Sequence, residues 1–421
     1  MSAKRMINAY NIRLPQGYVA EPYLTQLNSP SCIAFDAAGT LYIADSGMAD
    51  GDGKVLQYDG KQLNVLASGF NPPLLGIAFD GDDLFVSHRG CITLIKPDLK
   101  KVDILRGLPS WGDFSNSRIA IGTDGCLYFG QGTATNSGVV GADNSNWVVN
   151  HPYFNDLPGQ DITLYGENYE SKSLLSPACG EIVSTGAFSY YGSKNMKNEI
   201  IKSSKIPSGS IIRVNKDGSN ARVYAWGLRN PACIRFDRSN RLFCSNQGME
   251  PRGSRPVENA PDEFLLIKKG KWYGWPDYAG GLPVTLPQFK PKDGSQPFFL
   301  IKTQPMAPPP RPFALFEPHS CISGFDFSYD NKFGYGYIFV ALGGRSSDSG
   351  KLSRIDMQTG EALPFAYNKG PGGISHPSDV LFGPDDKMYI ADSGLITDRG
   401  FEPGTGVIWR VSKNFNYFRQ A

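Results

Sequence analysis

Apolar positions along this chain fall in short runs, and stripes at helical spacing are nearly absent. A short apolar strand is followed by an Asp/Gly/Asn turn, a second β-branched or aromatic strand, and a small polar loop. The unit is clearest at 33–47, Ile-Ala-Phe-Asp-Ala-Ala-Gly-Thr-Leu-Tyr-Ile-Ala-Asp-Ser-Gly, and returns at 77–90, 119–132, 234–248, 325–344 and 380–394. Behind each copy lies a third strand ending in a turn, at 54–60, 92–98, 210–218, 263–270, 351–360 and 407–414. No such blade can cover its own apolar faces, so stacking side by side around an axis is the way to bury them. The pattern predicts an all-β fold, a six-bladed β-propeller. Residues 12–27 are expected to complete the last blade and close the ring, with 1–421 forming a single propeller domain.

The first three copies follow one another at about 40–45 residues, ordinary for a four-stranded blade. The stretches at about 131–207 and 271–318 are longer, rich in Gly, Pro, Asn and aromatics, and are expected as loop insertions over the top face. The Met-Ala-Pro-Pro-Pro-Arg-Pro run at 306–312 reads as a stiff extended segment. In a propeller, loops entering each inner strand and loops leaving the second strand open on one face. The entering loops carry Asp113 to Arg118, Arg229-Asn230-Pro231, His319 and His376-Pro377-Ser378. The leaving loops carry Asp45, His88-Arg89, Gln131, Asn246-Gln247, Arg345 and Asp392. Polar groups gathered at one mouth point to a site for a small polar ligand; strand-end capping is the other use such residues have.

Charge narrows the partners. The 42 basic and 40 acidic side chains leave a net charge of +2, which gives no general attraction to nucleic acid or an anionic membrane. No run approaches the roughly 18–20 apolar residues of a spanning helix. The amino terminus shows no secretory pattern, so a cytoplasmic setting is expected. Seven cysteines without a CxxC pair argue against a disulfide framework and a thiolate zinc ribbon.

Specific motifs then appear. Gly227-Leu228-Arg229-Asn230-Pro231 is followed by Ser245-Asn246-Gln247-Gly248, Pro261-Asp262-Glu263-Phe264 and Trp272-Tyr273-Gly274-Trp275-Pro276. These resemble the soluble glucose/sorbosone dehydrogenases, six-bladed propellers that hold pyrroloquinoline quinone (PQQ) and calcium. The resemblance runs from about Ile12 to Val411. It implies that Arg229 and Asn230 contact the quinone, since a guanidinium pairs well with carboxylates and carbonyls. Gln247 and Arg345 lie in the leaving loops beside them and join the cofactor-binding set. Backbone carbonyls of Gly248 and Met249 would face the calcium, and Asp262 would orient the catalytic base. The turn at 277–280 resembles the region of a second, structural calcium site in some members.

Three departures bear on chemistry. The family's Asp-His pair before the third inner strand reads Asp113-Phe114 here, and phenylalanine accepts no proton. His376 and Ser378 stand where the family places cofactor-binding arginines. Residues 250–261 are inserted between the calcium loop and Asp262. His376, with His88 and His319 as alternatives, is expected to supply the missing base beside Asp113 and Asp262. The resulting expectation is a divergent PQQ-dependent sugar oxidoreductase with a rearranged active site. A propeller that only binds a carbohydrate or a protein, and a hydrolase or lyase using a metal held by the three histidines, are the alternatives.

Overall fold

The computed structural model describes residues 5–176, 180–303, 308–344, 346 and 349–414. Each of the six hairpins forms where the repeat predicts it, and each heads an antiparallel sheet of four or five strands. The fold class is the six-bladed β-propeller. Contacts divide the chain into two compact units, 1–104 with 320–421, and 105–319.

The first unit carries four of the sheets. Blade 1 runs Pro30–Phe35, Leu41–Asp45, Gly53–Tyr58, Leu63–Phe70, and blade 2 begins with Leu74–Asp80 and Asp83–His88. In blade 6, Tyr18–Leu27 pairs antiparallel with Gly406–Lys413, so an amino-terminal strand completes the carboxy-terminal sheet as expected. One strand of the closing segment goes elsewhere. Ile12–Arg13 pairs with Ala362–Asn368 and makes blade 5 five-stranded. Between neighbouring blades the apolar faces interlock, for example Cys32, Tyr42 and Val55 against Ile77, Leu84 and Val86.

The second unit holds blades 3 and 4. Blade 3 is Asn116–Ile121, Leu127–Gln131, Ser210–Val214, Arg222–Trp226, and its long insertion separates the second strand from the third. Blade 4 is Asn230–Phe236, Leu242–Gln247, Asp262–Ile267, Ala314–Phe316. The end of the second insertion therefore supplies an outer strand that the repeat did not reveal. The inner strands of these two blades approach closely: Ser117 Oγ donates to the Pro231 carbonyl, and Gly130 is required there because a Cβ would strike both groups. The insertions build their own core around Trp226, Trp272, Trp275, Phe289 and Val257.

All six inner strands share one irregularity. Register shifts at their first residues, at Pro30/Cys32, Leu74/Gly76, Asn116/Ile119, Pro231/Cys233, Ile322/Phe325 and Pro377/Asp379. A β-bulge leaves an extra residue unpaired and bends the strand. The same device recurs at every strand entry, and Arg229 and His376 lie one residue ahead of the first paired residues, Asn230 and Pro377.

Candidate functional site

The second unit gathers the polar residues that the motifs single out. Arg229 enters blade 4 and is 3 % exposed. Its Nε donates to the Asn136 carbonyl at 3.2 Å, and its guanidinium lies over the Phe114 ring, 4.6 Å from the centroid. Phe114, which the sequence marked as unable to accept a proton, therefore supports Arg229 by a cation–π contact. Nη2 of Arg229 is buried and makes no hydrogen bond; the nearest carboxylate oxygen, of Glu250, is 3.9 Å away. Burial brings this guanidinium down to about 10, with Glu250 opposing the shift. It stays a cation at neutral pH.

Around it the backbone is held by one side chain. Asn246 Oδ1 accepts from the amides of Arg229 and Asn230 at 3.0 and 3.1 Å. Asn230 Nδ2 donates to Gln247 Oε1 at 2.9 Å. A small cavity of about 10 Å³, room for one water, is lined by Arg229, Asn246, Gln247, Gly248, Glu263 and Trp275 among others.

The inserted segment 250–261 changes the rest of the site. Arg252 donates to Asp113 Oδ2 and Asp143 Oδ2, both at 2.6 Å, and to Glu250 Oε2 at 2.8 Å. Asp113 also accepts from Asn144 Nδ2 and Trp147 Nε1 at 3.0 and 3.1 Å. Its carboxylate is thus committed to tying the insertion to the blade 3 loop. Burial raises Asp143 in spite of Arg252. Burial acts to raise Glu250 as well, but Arg229 and Arg252 outweigh it and hold it low, as a carboxylate.

Asp262 Oδ1 accepts from the Gly248 amide at 2.8 Å, so the structure uses it to hold the turn between blade strands. Met249 is 3 % exposed and packs with the insertion core. Among the described residues, no group of three or more His, Cys, Asp or Glu could hold a metal ion, which removes the three-histidine site. The turn at 277–280 is occupied by a cation of the chain's own. Arg255, fully buried, donates to the carbonyls of Ser137, Pro276 and Phe298 and to Asp277 Oδ1, while Asp277 accepts from the amides of Leu300 and Ile301.

Of the histidines, His319 lies in this unit, with Nδ1 3.9 Å from Glu250 Oε1. His88 and His376 belong to the other unit. His88 is committed on both nitrogens: Nδ1 takes the Asn71 amide at 3.2 Å and Nε2 meets Thr93 Oγ1 at 2.8 Å. Burial lowers its pKa, which makes it a neutral structural group. Nδ1 of His376 meets the Gly394 carbonyl at 2.9 Å. A carbonyl accepts only, so that nitrogen carries the proton and Nε2 is the acceptor. Arg345 lies outside the described residues.

Sequence reasoning missed Glu250, Arg252 and Glu263. Two arginines three apart in the inserted Glu-Pro-Arg-Gly-Ser-Arg were the available signal, because a loop acid such as Asp113 needs a partner once it is covered.

A family model described as Glucose / Sorbosone dehydrogenase matches residues 196–341. That stretch is similar to the glucose/sorbosone dehydrogenase family. It contains the Arg229–Asn230 corner, Asn246, Gln247, the insertion and Glu263. Quinoprotein glucose dehydrogenase B of Acinetobacter calcoaceticus is 27 % identical over 207 residues, 47 % of this chain and 32 % of that protein, so the match spans about a third of the relative's length. The PQQ-bound aldose sugar dehydrogenase of Streptomyces coelicolor superposes with a TM-score of 0.56 at 19 % identity, covering 95 % of this chain and 99 % of that one. The holo PQQ domain of pyranose dehydrogenase from Coprinopsis cinerea gives 0.58 at 14 %, covering 96 % and 98 %. At such identities these two structures speak for the fold. No helix among the described residues is long and apolar enough to cross a membrane.

Proposed function

We propose that this glucose/sorbosone dehydrogenase-like propeller is a divergent quinone-dependent oxidoreductase of sugars, binding PQQ at the Arg229–Asn230–Gln247 corner. The observation that carries the reading is the buried Arg229 Nη2 with no acceptor. A buried cationic donor left unsatisfied costs free energy until an acceptor reaches it. The donor set fits an acidic, carbonyl-bearing ligand: one guanidinium, with the paired amides of Asn230 and Gln247 beside it. Among the described residues the side chains do not offer calcium a comparable set, and the Gly248 and Met249 carbonyls are its proposed ligands.

Bound PQQ supplies a hydride acceptor for the carbon that bears the substrate hydroxyl. Arg229 would hold an acidic group and Asn230 with Gln247 would orient it, while Phe114 keeps the guanidinium flat against the blade 3 loop. Asp113 and Asp262 serve by position, tying down the insertion and the 248 turn. The hydroxyl proton is assigned to His319, which has the carboxylate of Glu250 beside it.

A second reading, a propeller that binds a sugar or other polar ligand without turnover, is favoured by Phe114 and by the full engagement of Asp113 with Arg252. One experiment separates them. Saturating PQQ with Ca²⁺ should raise the melting temperature, because a ligand that prefers the folded state stabilises it, and should give dye reduction with an aldose. A shift without turnover selects the binding reading. No shift in wild-type protein, or the same shift in Arg229→Gln, rejects the quinone site.

A further inference from the structure

Glu263 is the buried acid that the proposed chemistry leaves unused. It sits on the third strand of blade 4, next to Asp262, and is 6 % exposed. Its two oxygens do separate jobs. Oε2 accepts from Asn246 Nδ2 at 2.8 Å and Oε1 accepts from the Gly280 amide at 2.8 Å. Asn246 faces the other way with Oδ1, which takes both the Arg229 and Asn230 amides. Because both of those partners are donors, Asn246 must present its carbonyl to them and its NH₂ to Glu263. The carboxylate of Glu263 therefore fixes the orientation of the side chain that fixes the corner.

We infer that Glu263 is a positioning residue: acting through Asn246, its carboxylate holds the backbone of Arg229 and Asn230 in the conformation that receives an acidic ligand. The ligand half of this rests on the function proposed above; the clamp itself does not. The small cavity that Glu263, Asn246 and Arg229 line together supports the link. A carboxylate accepts a stronger hydrogen bond than the neutral acid does, so the clamp tightens when Glu263 ionises. Burial places that ionisation near neutrality, at about 7, with the Asn246 and Gly280 hydrogen bonds pulling it down and Asp262 pushing it up. Asp262, its neighbour on the strand, is the charged group that acts on Glu263, and Arg229, Tyr273 and Tyr278 line the cavity with it.

Glu263→Gln tests the clamp without changing side-chain shape. A glutamine has one acceptor oxygen, so its NH₂ must oppose either Asn246 Nδ2 or the Gly280 amide, donor against donor. Hydrogen exchange of the peptide containing Arg229 and Asn230, corrected for intrinsic rates, should show protection that rises through pH 7 in wild type. In E263Q that rise should vanish, with protection at pH 8 reduced about tenfold, the scale of one charge-assisted hydrogen bond. The double variant Asn246→Asp with Glu263→Gln reverses donor and acceptor at unchanged net charge, and should restore protection at pH 8 and any stabilisation by PQQ. Equal protection in wild type and E263Q, or no recovery in the double variant, overturns the inference. A wild type that PQQ does not stabilise, together with the expected exchange pattern, overturns the quinone reading and the ligand half while the clamp stands.

Discussion

Replacing Arg252 by methionine keeps most of its apolar stem and removes the charge that three carboxylates share. Two of these, Asp113 and Asp143, have side chains only 8 % and 13 % exposed, whereas Glu250 is 39 % exposed and keeps Arg229 nearby. The loss is therefore carried by the first two. Breaking a buried pair by removing one partner costs about 3–5 kcal/mol, and with Arg252 itself 31 % exposed the low end applies, about 3 kcal/mol. The pH dependence has a definite sign. Burial already raises Asp143 above its ordinary value against the pull of Arg252. A raised carboxyl contributes stability that is present at low pH and lost as pH climbs through its folded value. Removing Arg252 lifts it further, so the variant should trail wild type most at pH 8 and least near pH 5. Urea unfolding followed by tryptophan fluorescence at both values measures this, and Trp147, which donates to Asp113, reports from inside the site. A deficit below about 1 kcal/mol, the level of an exposed pair, or one equal at both pH values, would refute the view of Arg252 as a buried charge lock.

Three further outcomes follow from the same geometry. Phe114→His exchanges the ring under Arg229 for a proton acceptor and should raise PQQ-dependent aldose oxidation at least about tenfold in a dye assay, the lower part of what a general base supplies. Arg255→Met should cost about 3–5 kcal/mol in urea unfolding, because it strands the buried Asp277 carboxylate; added Ca²⁺ in the melt would show whether a metal can replace the guanidinium. Glu263 rises from 4.5 to about 7 on folding, so it should withdraw about 3 kcal/mol of stability as pH climbs from 4.5 to 7, at about 1.4 kcal/mol per unit; thermal melts across that range should flatten in Glu263→Gln.

Six hairpins and their third strands were legible in the sequence because strand alternation and turn residues are local properties, and a sixfold repeat of one local pattern leaves few ways to bury its faces. The Arg229-Asn230 motif was legible for the same reason, being five consecutive residues at a strand entry. The outer strand Ala314–Phe316 was not, since three residues after a long insertion carry too little pattern to stand out. Nor was the displacement of Ile12–Arg13 to blade 5, because an edge pairing is chosen by whichever sheet has an open edge within reach.

What only the tertiary structure decided is which charges meet. From the sequence, Asp113 and Asp262 were a base's partner and its orienting acid. In the fold, Arg252 arrives from 139 residues away to take the first, and the Gly248 amide takes the second. Glu263, the second residue of the strand Asp262–Ile267, becomes the far end of a clamp on Arg229 only because adjacent strands in blade 4 set it across from Asn246. Local pattern fixes strands and turns, whose energetics are settled within a few residues. Partners for buried charge are settled by desolvation, which acts wherever the closed fold has removed water, and sequence order carries no record of that.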